Sequence, residues 1–67
     1  MMNIKYSITL VLSENHNNVH KYQTYLVPNV GDYISLENDK KFKVNWRLLP
    51  TDINDNNISL YGIIPFG

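Results

Sequence analysis

The sequence predicts a small all-β domain, on three observations. Short stretches alternating apolar and polar residues recur along the chain, clusters of turn-forming residues separate them, and no comparable segment repeats apolar residues at helical spacing. The clearest break is Pro28-Asn29-Val30-Gly31-Asp32, set between alternating stretches at Val19 to Val27 and Tyr33 to Leu49.

At 67 residues there is room for one domain, residues 1–67. A chain of this size buries roughly 60% of the surface its unfolded form exposes, so each large apolar side chain carries much of a marginal stability. The absence of cysteine removes the disulfide framework of a small secreted scaffold and favours a reducing, cytoplasmic setting. The start Met1-Met2-Asn3-Ile4-Lys5 lacks the pattern of a secretory signal, and no apolar run has the length of a membrane span, so a soluble protein is expected. Six basic and six acidic side chains balance to zero, which removes a general attraction to nucleic acid and weakens repulsion between copies.

The first strand is predicted over Asn3 to Leu12, with Ile4, Tyr6, Ile8, Leu10 and Leu12 on one face and Lys5, Ser7, Thr9 and Val11 on the other. The asparagine cluster at 15–18 marks a loop, because a short amide side chain bonds nearby backbone and tolerates left-handed conformations. A second strand follows from Val19 to Val27, with Tyr22 and Leu26 on one face and Lys21, Gln23 and Tyr25 on the other. Val19 and Val27 share the parity of Lys21, so a bulge or a strand covered on both sides would reverse part of that assignment. Pro28 lacks a backbone donor and ends the pairing.

Strands three and four carry apolar residues at even positions: Ile34 and Leu36, then Phe42, Val44, Trp46 and Leu48. Parity predicts Leu36 opposite Phe42, Ile34 opposite Val44, Tyr33 opposite Asn45 and Glu37 opposite Lys41, with a three-residue loop at Asn38-Asp39-Lys40. The left-handed position of such a loop falls on Lys40, at a cost of about 1 kcal/mol relative to glycine; a longer loop is the alternative. Leu49-Pro50 stops strand four, and residues 51–57 form a loop. The last strand, Ile58 to Ile64, contains Gly62, the mark of a bulge or a close backbone approach.

Five short antiparallel strands must close on themselves or leave long edges exposed. The expected architecture is a small five-stranded antiparallel SH3-like barrel, or a strongly bent meander; a flat meander dimerising over its second face is the rival, and an OB-type barrel normally needs more residues. The stretch from Pro28 to Leu36, with its Gly31-Asp32 turn, followed by Phe42-Lys43-Val44-Asn45-Trp46-Arg47, resembles small SH3-like barrel proteins of bacterial and phage genomes. In those proteins a proline and a Gly-Asp or Gly-Glu turn introduce a short strand. The resemblance implies an interaction module or a phage accessory protein acting on host machinery, and it carries no catalytic residues.

The chemistry-bearing residues divide similarly. His16 and His20 are four apart, a spacing that aligns ligands on a helix but not in a loop entering a strand, and the Asp52 to Asp55 loop lacks the central glycine and final glutamate of a calcium loop; no metal and no cofactor are expected. Ser, His and Asp occur without a nucleophile context, and so small a barrel offers no large pocket, so no enzyme is expected. Trp46 is expected in the core by parity, with an interface anchor as the minority reading. Tyr25, Tyr61 and Ile63, with Val11, fall on the opposite faces of their strands and form a candidate patch for a partner. The expected function is a non-enzymatic protein-protein interaction module that docks another protein through Tyr25, Tyr33, Lys43, Arg47, Tyr61, Ile63 and Phe66. Phe66 either packs over the barrel mouth or meets the partner. The alternatives are a nucleic-acid-binding barrel using Lys41, Lys43, Arg47 and Tyr33, and a self-assembling homo-oligomer.

Overall fold

The computed structural model describes residues 4–65. Asn3, the expected start of the first strand, and Phe66 lie outside them. The strands are β1 (Tyr6–Leu12), β2 (Asn18–Thr24), β3 (Tyr33–Ser35), β4 (Lys41–Leu48) and β5 (Asn57–Ile63), with a short 3-10 turn at Glu37–Asp39. They form one five-stranded sheet in the order β2-β1-β5-β4-β3. It is mostly antiparallel and strongly curled into a half-barrel. Among the described residues, no helix is long and apolar enough to cross a membrane.

One pairing departs from the antiparallel expectation. β5 returns between β4 and β1 and runs parallel to β1, from Ser7 opposite Asn57 to Leu12 opposite Gly62. Hairpin-by-hairpin reasoning does not reach this contact, because it joins the two ends of the chain. β1 and β5 thereby join β4 as the interior strands, and Ile8, Leu10, Ile58 and Leu60 from them meet Phe42 and Val44 of β4 in the core. Each such burial is worth about 1.5–3 kcal/mol. Tyr6, Leu12, Val19, Tyr22, Ile34 and Leu36 pack around this core, and Leu36 and Phe42 are both turned inward as parity requires.

The turn that punctuates the sequence is built as its residues dictate. The Asp32 N–H donates to the Asn29 carbonyl at 3.0 Å, and the Asp32 carboxylate accepts from the Asn29 N–H at 2.8 Å. Gly31 holds φ +94°, a conformation that glycine adopts without a Cβ penalty. The Gly31 N–H then donates to the Val44 carbonyl, and the Val44 N–H to the Asp32 carbonyl, so the turn is bonded directly to β4.

Two bulges set the side-chain faces. In β2 the partners step from Leu10–His20 to Val11–Asn18, so Val19 is the extra residue and packs against the core alongside Tyr22. This is the parity reversal the sequence allowed for. In β4 the partners step from Val44–Gly62 to Trp46–Tyr61, leaving Asn45 unpaired. Alternation is inverted beyond it: Trp46 and Leu48 lie on the outer face, 45% and 55% exposed, while Arg47 shares the inner face with Leu60. The expected core position of Trp46 is therefore corrected, and so is the outward position of Arg47. Gly62 marks the same place from β5: a Cβ there would overlap the Lys43 carbonyl oxygen.

The β3–β4 register is also corrected. Ile34 faces Phe42, Tyr33 faces Lys43 and Ser35 faces Lys41, so the pairing is shifted by two residues and parity is kept. Leu36 to Lys40 form the connection, closed by the Leu36 N–H on the Lys40 carbonyl. Its left-handed residues are Asn38 and Asp39, at φ 61° and 60°, while Lys40 is extended. Asn and Asp tolerate that region better than a long side chain does, so the longer loop wins and Glu37 does not face Lys41.

Candidate functional site

The bulge at Asn45 assembles a row of large side chains across the outer face of three strands. Val11 of β1 stands beside Tyr61 of β5, which stands beside Trp46 of β4. The Trp46 and Tyr61 rings are stacked parallel with centroids 3.9 Å apart. His16 meets the other side of this group, edge-on to Tyr61 at 5.7 Å. It is placed there by the β1–β2 turn, in which its N–H donates to the Leu12 carbonyl and its φ is 59°. Val11 is buried within this second, outer cluster, although its parity is opposite to that of Leu10.

A second row flanks the first. Tyr33 of β3, Lys43 of β4 and Ile63 of β5 are opposite one another in turn. The Lys43 ammonium lies 6.0 Å from the Tyr33 ring centroid, within cation–π range. Lys41 follows beside Ser35 at the end of the hairpin. On the other side of the aromatic row Ser59 lies between polar Thr9 and the exposed Leu48. The result is an exposed aromatic and aliphatic centre with a polar, partly basic rim.

Of the residues expected to meet a partner, the fold brings Tyr33, Lys43, Tyr61 and Ile63 onto this face. Tyr25 is elsewhere, exposed just beyond β2 with the Lys5 ammonium 5.6 Å from its ring centroid. Arg47 is elsewhere too. It lines a cleft of about 350 Å³ at the open end of the half-barrel, with Tyr6, Val27, Leu49 and Ile58, and its Nη1 donates a long hydrogen bond of 3.5 Å to the Pro28 carbonyl. The basic set proposed for nucleic acid thus loses Arg47 and keeps Lys41, Lys43 and Tyr33. Trp46 is the residue that parity hid; the signal was Gly62, whose flagged bulge fell on the opposing strand.

The remaining polar clusters serve the loops. Asp52 and Asp55 accept hydrogen bonds from the backbone of Asn54 and Asn57, and Asn15 from that of Asn17. His20 stacks on Tyr22 at 6.1 Å. Among the described residues, no three His, Cys, Asp or Glu side chains are grouped to hold a metal ion. Burial raises the Tyr22 hydroxyl above its ordinary pKa of 10.0. A scan of protein-family models, a search of curated proteins and a search of solved structures each return no match for this chain.

Proposed function

We propose that this chain is a non-catalytic interaction module that docks another protein through its outer sheet face. The Trp46–Tyr61 stack carries the reading. A tryptophan 45% exposed in a domain this small is a large apolar surface left to water, and interface hot spots are enriched in Trp and Tyr at the centre of a polar rim. Ile63 and Leu48 widen the apolar centre, buried Val11 supports Tyr61 beside it, and Lys43, Tyr33 and Ser59 rim it. The resemblance to small SH3-like barrels of bacterial and phage genomes supports an accessory role, binding and modulating a host protein in the cytoplasm.

The test is capture by the intact chain compared with Trp46→Ala, with Ile53→Ala as a control on a different exposed apolar residue. A partner retained by wild type and Ile53→Ala, lost with Trp46→Ala, and shown to bind the purified chain directly supports the reading. Binding that survives Trp46→Ala and Tyr61→Ala in folded protein contradicts it.

A second reading rests on the Tyr33–Lys43 pair beside Lys41 and the aromatic stack, the mixture that holds single-stranded nucleic acid by stacking and phosphate contacts. Lys41→Glu with Lys43→Glu would abolish a salt-dependent oligonucleotide affinity if that reading holds, and would leave protein capture unchanged if the first one does.

A further inference from the structure

β2 ends one side of the sheet, and no described strand pairs with its outer edge. Which backbone groups it leaves free follows from β1. The Ser7 N–H donates to the Asn56 carbonyl on the β5 side, and the Leu12 N–H to the Asn17 carbonyl on the β2 side. Strand backbone groups alternate in direction, so Tyr6, Ile8 and Leu10 turn theirs to β2, where Thr24, Tyr22 and His20 stand opposite. Lys21 and Gln23 therefore direct their N–H and C=O groups away from the sheet.

We propose that this edge pairs with the same edge of a second copy, antiparallel about a two-fold axis at Tyr22. In that register Lys21 faces Gln23 of the partner subunit, and the two residues exchange both backbone hydrogen bonds. A second copy brings an edge of the same length and the same outward pair, Lys21 and Gln23, and the order of side chains selects this register for it. Centring the axis on Lys21 would set two ammonium groups opposite each other, which is unfavourable, and centring it on Gln23 would place Lys21 against a residue beyond the strand end. At Tyr22 the two phenol rings meet on the inner face, each already stacked on its own His20. A net charge of zero opposes the approach of two copies only weakly. The bulge at Val19 bends one end of the edge. The Leu26 N–H donates to Thr24 Oγ1 and turns the chain away at the other. Pairing is confined between them, so the dimer is weak and concentration-dependent.

Sedimentation equilibrium of the whole chain over a wide concentration range, with amide hydrogen exchange at both ends of that range, tests this. A reversible monomer–dimer equilibrium is expected, with exchange at the Lys21 and Gln23 amides slowed in the dimer. Gln23→Glu, which sets a carboxylate opposite Lys21 of the partner subunit, tightens the dimer about fivefold, and Gln23→Lys weakens it about fivefold. Lys21→Pro removes an outward N–H that β1 does not use, and abolishes the dimer. A monomer at every concentration, a dimer indifferent to both Gln23 variants, or protection at Trp46 and Tyr61 instead overturns the proposal. The outer-face reading is tested separately, because Trp46 takes no part in this contact.

Discussion

Single residues decide where this chain cannot vary. Gly62 lies against the backbone of β4, where a Cβ would overlap the Lys43 carbonyl oxygen and stand 2.9 Å from the Phe42 ring. Gly62→Ala must displace a strand rather than a side chain, and is expected to cost about 4 kcal/mol or more by chemical denaturation. Gly31 differs: beyond its chain neighbours, a Cβ there would meet nothing within 4 Å, and only its φ of +94° resists substitution. Gly31→Ala should therefore cost about 1–2 kcal/mol, and the contrast between the two denaturation midpoints separates clash from backbone strain. Tyr22 gives a pH signature. Its hydroxyl is raised above 10.0 by burial, so the unfolded chain loses its proton first as pH rises. The stability it contributes is complete below about pH 10 and is lost as pH climbs towards the folded value, with the unfolded state binding fewer protons. Tyr22→Phe is expected to flatten the alkaline decline of the unfolding free energy, measured against wild type.

At the scale of the element, period-two patterning fixed strand identity and failed wherever an extra residue entered. Ile8, Leu10, Phe42, Val44, Ile58 and Leu60 are all buried as their parity requires, and Phe42→Ala should cost about 3–5 kcal/mol in equilibrium unfolding. Beyond Asn45 the same rule sends Trp46 to the wrong face. A bulge has no signature of its own in alternation, since the residues on either side still alternate, each with its own phase. In β2 the conflict between Val19 and Tyr22 exposed the phase change; in β4 Val44, Trp46 and Leu48 are all apolar, so none existed to notice. The β3–β4 connection failed for a related reason: parity admits shifts of two, and the left-handed tolerance of Asn38 and Asp39 chose among them. Deleting Asn45 would remove the extra residue without moving Trp46 from its place opposite Tyr61. The expected outcome is a folded protein whose tryptophan emission is unchanged; a blue-shifted emission would mean that Trp46 had entered the core.

At the scale of the molecule, the parallel contact between β1 and β5 is what sequence reasoning could not reach. It pairs residues some 50 positions apart, and no turn residue announces it. That contact sets β5 at the centre of the sheet between β1 and β4, leaves β2 and β3 as edges, and lines up Val11, Tyr61 and Trp46 across the outer face. The candidate site was thus half legible: Tyr61 and Ile63 by their strand phase, Tyr33 and Lys43 by the hairpin, but neither the stack nor the departure of Arg47 from the face. Docking through the outer face requires Trp46 to stand outside, on Tyr61. It is the chain's single tryptophan, so its fluorescence under acrylamide quenching reports that residue alone. Quenching in the native state substantially above that of a core indole, with ring-to-ring nuclear Overhauser contacts between Trp46 and Tyr61, is the predicted result. A blue-shifted emission that acrylamide does not reach, with contacts to Phe42 in place of Tyr61, would contradict it.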